Sequence, residues 1–252
     1  MSEKCPYKLC AFLLPFYFLF LRYNLCMKAT PLLLKVLQKS AYFSDLPVQV
    51  LVELASTAVK KTYAPKEPVF WEGDDSAGLY ILTKGWLKVV KISAKGREQV
   101  LHFLKVGETF NALSVFTDIP NPATVIALED SEVWLIRRET MNRLLEQNTG
   151  MARQVIAELA SRLVQMLQLV EDISLYTVEA RLARYLVEQA SANTVSRQHW
   201  ATQTEMAARL GTVPDVVSRV LRKFVDAELI EVARHEIRIL DIARLQARAE
   251  QS

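Results

Sequence analysis

Cysteine, histidine, glycine and unbalanced charge are all scarce in these 252 residues, and each shortage closes off a class of protein. The three cysteines, Cys5, Cys10 and Cys26, sit within the first 26 residues. They are too few to staple a secreted fold of this length. Their spacings match no common zinc or iron–sulfur pattern, so no metal site is expected. Seven glycines and nine prolines exclude a collagen-like or low-complexity chain. A formal net charge of +3 is compatible with a nucleic-acid partner without requiring one. There is no P-loop, no G-x-S-x-G elbow and no metal-spaced histidine set, and none of the three histidines neighbours a nucleophile by motif. The chain is therefore not read as an enzyme.

The amino terminus stands apart in composition. Leu9 to Leu21 is thirteen residues without a charge, interrupted by Pro15. A membrane-spanning helix takes about 20 apolar residues, so the run is short for one. Lys4 and Lys8 resemble the basic start of a signal peptide, but Arg22-Tyr-Asn-Leu-Cys26 offers no small-x-small cleavage site. Three readings stay open for residues 1–26: an apolar extension upstream of a true start at Met27, a membrane-associating tail, or a partner-binding segment.

Past Met27, glycine placement divides the chain. Five of the seven glycines, from Gly73 to Gly107, fall in one interval rich in strand signals. Gly78-Leu-Tyr-Ile-Leu, Trp86-Leu-Lys-Val-Val-Lys, Glu98-Gln-Val-Leu-His-Phe-Leu, Val125-Ile-Ala-Leu and Glu132-Val-Trp-Leu-Ile136 are separated by turn residues. Such short runs predict a small antiparallel sandwich or barrel. Before them, Ser44-Asp45-Leu-Pro47 predicts a helix start, with helical spacing to about Val59. From Met151 to Leu210 there is neither Gly nor Pro, which favours helices. Ile156, Leu159, Leu163, Met166, Val170 and Ile173 alternate spacings of three and four, which fits either a helix packed on its own domain or the seam of a parallel two-chain coiled coil. Val155, Leu167 and Leu169 widen that face, so one helix can pack on a partner and on its own β-domain together.

The carboxy-terminal pattern is more specific. Thr202 precedes Gln203-Thr-Glu-Met-Ala-Ala-Arg-Leu210, with Glu205 placed for a capping box. Gly211 can end that helix with a positive φ. Thr212 is positioned to cap the next one, with Pro214 in its first turn. Asp215-Val-Val-Ser-Arg-Val-Leu-Arg-Lys-Phe224 then carries polar groups on one face. Two short helices around a glycine turn form a helix-turn-helix pattern. The alternation from Leu229 to Leu240 reads as a two-stranded hairpin, which makes the motif winged. Arg219 has a planar fork that pairs with guanine O6 and N7, and Asp215 can accept from cytosine N4. Ser218 can bond a base or a phosphate, and Arg222 and Lys223 fall one turn later, at phosphate level. His199 and His235 lie in this half, where solvent or phosphate would meet them.

Over residues 40–245 the chain resembles the Crp/Fnr superfamily of bacterial transcription regulators, most specifically from Thr202 through Leu221. The family's E-x-x-S-R reading set falls on Asp215, Ser218 and Arg219, with Pro214 where cAMP-type members often have Arg. Asp is shorter than the Glu it replaces. The resemblance implies an α+β protein with an amino-terminal antiparallel β-roll, a double-stranded β-helix or jelly roll, as sensor domain. A long dimerisation helix and a winged helix-turn-helix follow. The expected divisions are 27–150 for the roll, 151–175 for the helix and 176–252 for the DNA-binding domain. The DNA-binding set is Thr202, Gln203, Thr212, Asp215, Ser218, Arg219, Arg222 and Lys223.

The resemblance also locates an effector pocket at Phe110, Asn111, Ala112, Leu113, Asn121, Pro122, Ala123 and Thr124, closed by Met166 and Leu167 of the long helix. The family's ribose-binding Glu falls on Ala112, and its phosphate-binding Arg-Ser falls on Asn121-Pro122. Its adenine-binding Thr-Ser pair is Met166-Leu167. Without the charge-assisted phosphate pair, cAMP and cGMP are not expected to bind. Haem-based relatives would make His102 an axial ligand, but packing or a surface hydrogen bond is the favoured reading of a strand histidine. No cofactor is assigned, and the effector is unknown. The expectation is a cytoplasmic, homodimeric regulator of double-stranded DNA, with RNA polymerase as the partner the family implies. A membrane-tethered ligand-binding signalling module and a haem-based gas-sensing regulator are the competing readings.

Overall fold

The computed structural model describes residues 31–250 apart from Asp118, Arg197 and His199. What was expected of residues 1–26, including the three cysteines, and of His199 lies outside the described residues. Two helices come first, α1 (Pro31–Lys39) and α2 (Val48–Thr57). A roll follows, made of β1 (Val59–Tyr63), β2 (Pro68–Phe70), β3 (Gly78–Lys84), β4 (Leu87–Ile92), β5 (Glu98–Leu104), β6 (Thr109–Phe110), the short helix α3 (Ala112–Thr117), β7 (Thr124–Ala127) and β8 (Ser131–Arg137). The strands form two four-stranded antiparallel sheets, ordered β1-β8-β3-β6 and β2-β7-β4-β5.

The unbroken apolar runs of β3 and β8 have a physical cause. Leu79 and Ile81 of β3, with Trp134 and Ile136 of β8, face a cluster shared with α1 and α2. Tyr80 and Leu82, with Val133 and Leu135, face the interior of the roll. Strands covered on both faces lose the polar half of their alternation. Inside the roll Tyr80 stacks on Phe110 at 5.2 Å and tilts against Phe70 at 5.4 Å. Gly78, at φ +150°, lets β3 pass β8 closely, because a Cβ there would lie 2.1 Å from the Ile136 carbonyl oxygen.

The predicted helix from Ser44–Asp45 to Val59 is shorter than expected. It begins at Val48, with Pro47 at its cap, and ends at Thr57. Val59 belongs to β1, paired with Leu135 of β8. Pairing along the sheet edge overrides the local helical spacing, and the exposed lysines of β1 hide any strand alternation.

After α4 (Arg138–Gln147) comes the long helix α5 (Thr149–Leu175). Met151, Val155 and Leu159, at i, i+4 and i+8, lie against the cluster built by α1, α2, β3 and β8. The carboxy-terminal unit holds α6 (Val178–Gln189), β9 (Thr194–Ser196), α7 (Gln203–Leu210), α8 (Pro214–Asp226), β10 (Ile230–Val232), β11 (Glu236–Ile239) and α9 (Ile242–Ala249). Its core is centred on Leu182, Leu186, Val217, Leu221, Phe224 and Ile237. The predicted hairpin is present as the antiparallel pair β10 and β11, and β9 joins β11 to extend the wing to a three-stranded sheet, β10-β11-β9. The extra strand is three residues long, too short to show a period. Among the described residues no helix is long and apolar enough to cross a membrane.

Burial pushes the Tyr80 phenol up to about 12 from 10.0, with a smaller push from Tyr63. The folded protein holds this proton more tightly than the unfolded chain, so its stabilising effect is intact below pH 10 and lost as pH rises to about 12. Tyr80→Phe is expected to flatten that alkaline loss in urea unfolding measured at several pH values.

Candidate nucleic-acid interface

The turn between α7 and α8 is built largely by local chemistry. Thr202 caps α7, its Oγ1 accepting from the Glu205 N–H at 3.3 Å. The reciprocal half of the expected capping box does not form. The Glu205 carboxylate points away, to Lys88 on β4 at 3.0 Å. Gly211 ends α7 in the left-handed region at φ 67°, and the N–H of Thr212 reaches the Ala207 carbonyl at 2.9 Å. Thr212 does not cap α8 as expected. Val213 holds that position with no side-chain bond, because Pro214 starts the helix two residues after Thr212. Asp215 in the first turn complements the positive end of the helix dipole.

Helix α8 divides sharply. Val217, Leu221 and Phe224 are buried in the core of the carboxy-terminal unit, whereas Asp215, Arg219, Arg222 and Lys223 are exposed. Ser218 is half-buried and donates its Oγ–H to Oε1 of Gln203 at 2.7 Å. One candidate from each helix is thus joined at the front of the turn. No described residue forms an ion pair with Arg219 or Arg222. Lys223 differs from the expectation of a free phosphate contact. Its ammonium lies 2.5 Å from Glu179 of α6, whose other oxygen is 3.2 Å from Arg248 of α9. Glu179 therefore ties the carboxy-terminal half of α8 to two neighbouring helices. His235 is exposed between β10 and β11.

The expected coiled-coil seam separates into two groups. Ile156, Leu163, Met166, Val170 and Ile173 are exposed, Ile156 at 67% and Leu163 at 61%, whereas Leu159 packs on its own core. Leu159 continues the Met151–Val155 line, so it turns inward. Val155 and Leu169 are buried, and Leu167 and Val164 join the exposed stripe.

The proposed effector residues do not share one environment. Phe110, Ala112, Asn121, Ala123 and Thr124 are buried, but Leu113, Pro122, Met166 and Leu167 are at the surface. Phe110 is stacked in the aromatic interior, and Asn111 donates to Ser76 Oγ at 3.0 Å and to the Gly78 carbonyl at 3.2 Å. Two polar residues that no motif marks stand beside this loop. Lys91 of β4 is ion-paired with Glu72 and donates to the Pro122 carbonyl at 3.0 Å. The Glu72 N–H in turn donates to Thr124 Oγ1 at 3.0 Å. His102 places Nε2 2.9 Å from Glu108 Oε2.

Comparison with known proteins agrees with this geometry. Residues 60–148 match the family model for the cyclic nucleotide-binding domain, and residues 180–248 match that for the Crp-like helix-turn-helix domain. The chain is 30% identical over 190 residues to the transcriptional activator protein Anr of Pseudomonas protegens, covering 73% of this chain and 77% of that protein. It is 25% identical over 187 residues to the cyclic AMP receptor protein of Thermus thermophilus, covering 74% and 86%. Among solved structures, FixK2 from Bradyrhizobium japonicum shares the fold with a TM-score of 0.69 at 20% identity, covering 77% of this chain and 98% of that one.

A Cβ at Gly211 would sit 2.9 Å from Gln99 Oε1. Gly211→Ala is expected to cost about 1–2 kcal/mol in urea unfolding, from left-handed backbone strain. Unchanged stability would show that the turn relaxes out of that region.

Proposed function

The chain belongs to the Crp/Fnr family of transcription regulators, and on that premise we propose that it works as a dimer reading an inverted-repeat DNA site. The observation that carries this reading is the division of α8: its apolar face is core, and its opposite face offers Arg219 and Arg222 with no ion-pair partner among the described residues. A short helix seated in this way inserts its outer face into a major groove, with two copies about 34 Å apart. Arg219 reads a guanine, Ser218 and Gln203 act as one hydrogen-bonded pair at a base or phosphate, and Arg222 meets the backbone. Thr202 and Thr212 flank this surface, and Lys223 supports it through Glu179. The setting is the cytoplasm, with RNA polymerase as the partner.

The second copy follows from the exposed stripe on α5. A line of large apolar side chains on one helix is stabilised by burial against an identical line, at roughly 1.5–3 kcal/mol per fully buried side chain. The stripe from Ile156 to Ile173 is the surface for that contact.

The effector acts through the roll and is not a cyclic nucleotide. A cyclic phosphate needs a free cation beside backbone donors. Ala112 and Asn121-Pro122 supply none, and the nearby Lys91 is held by Glu72 and the Pro122 carbonyl. Millimolar cAMP or cGMP should therefore leave the thermal unfolding midpoint unchanged.

Two substitutions test the DNA reading on duplexes selected from random sequence by the full-length protein. Arg219→Ala is expected to cost about 1–3 kcal/mol at one base pair per half-site and to relax specificity there. Equal loss on every sequence would reduce Arg219 to a phosphate contact. Leu163→Glu is expected to give monomers by light scattering and to abolish tight binding to the inverted repeat. A monomer that still binds it tightly would overturn the dimer.

A further inference from the structure

Helix α7 is held by residues of the roll along its whole length. At its first turn Glu205 meets Lys88 of β4, a lysine only 6% exposed, whose ammonium also lies 2.5 Å from Glu98 of β5. In the middle, Ala208 packs with Val90 and Val100. At its last turn the Arg209 carbonyl accepts from Gln99 at 3.2 Å, and the Gly211 carbonyl accepts from Arg97. Final-turn carbonyls have no partner inside a helix, so these are caps supplied from a distant part of the chain. Just before α7, the Trp200 ring sits 5.1 Å from both Trp86 and Phe103.

The hairpin is shaped for this contact. Lys88 pairs with Phe103 and Val90 pairs with Val100, so the register shifts by one residue and Leu101 is the extra one. Residues 100 and 103 of a regular strand would face opposite sides. The bulge brings both Val100 and Phe103 to the outer face, beside Lys88 and Val90. It also frees the Leu101 carbonyl, which accepts from Arg209 of α7 at 3.1 Å.

We propose that the β4–β5 hairpin is a second anchor for the reading helices, with Lys88 and Trp200 as positioning residues that set the angle of α8 relative to α5. The first anchor is the α5–α6 joint, where Arg184 pairs with Asp172 at 2.8 Å and lies over the Tyr176 ring at 3.9 Å. A single joint leaves rotation free, whereas two attachments fix it. A buried ammonium between two carboxylates holds only when the geometry is satisfied, so this anchor is either seated or open. Its strand also carries Lys91 onto Pro122, so a shift of the Asn121–Pro122 loop reaches the anchor along β4. This inference rests on the DNA-reading function proposed above.

The test uses the full-length protein and its selected duplex, a duplex carrying one half-site, and the full site with its centre lengthened by one or two base pairs. The variants are Trp200→Ala and the combined Lys88→Met, Glu98→Gln, Glu205→Gln, which removes the ion cluster without stranding a charge. Both are expected to lose about tenfold or more on the full site, because loosened heads engage two half-sites with lower effective concentration. Both should keep wild-type affinity for the single half-site and lose the preference for native spacing. Hydrogen exchange without DNA should rise in residues 98–104 and 203–210, and Trp200→Phe should restore spacing preference. Wild-type affinity and spacing in both variants would overturn the proposal. So would equal losses on half and full sites, which would mean damage to the reading unit itself. If the wild-type protein selects no sequence, the DNA reading falls and this inference falls with it.

Discussion

The buried Lys88 ammonium is the interaction on which the arrangement of the two halves depends. Its neighbours Glu98 and Glu205 come from the roll and from the first reading helix. Around it the contacts change type but keep the same two partners: apolar at Ala208, aromatic at Trp200, and carbonyl caps at Arg209 and Gly211. The buried charge is the ammonium, and without its two carboxylates it would be left unpaired beneath the surface. The contact therefore specifies one orientation more strongly than it adds stability.

Helix α5 works under a different constraint. It must lie against the roll and still leave a continuous apolar stripe. Met151, Val155 and Leu159 satisfy the first demand near its start, and Leu163, Leu167 and Val170 serve the second further along. The inward line occupies the first half of the helix and the exposed one extends to its end. The end of α5 is the joint at Tyr176 and Arg184. A neighbour bound along the stripe thus acts close to the point where the reading unit is attached.

The interior of the roll is filled by its own side chains. Phe70, Tyr80 and Phe110 fill the space between the two sheets. In the loop at Asn121 and Pro122, the Pro122 carbonyl is engaged by Lys91. A fold fixes where loops meet and side chains fix what they bind, so the family fold alone does not name the ligand.

Much was legible in the linear chain because it rests on contacts a few residues long. Thr202 capping Glu205, the positive φ at Gly211 and the two-faced pattern of α8 are all set by neighbours in sequence. Each carries its signal in residue type and spacing. The capping box failed at its second half because Glu205 is claimed by Lys88, 117 residues away. Lys223 looked free for the same reason, since Glu179 lies 44 residues earlier. The extra strand β9 and the bulge at Leu101 leave no pattern because each involves three residues or fewer. The amino-acid order by itself determined the cap at Thr202, the glycine turn and the two faces of α8, since short-range sterics and hydrogen bonding decide those. Only the tertiary structure decided which charges were already taken and where the reading helix points, because long-range pairing depends on which surfaces folding brings together.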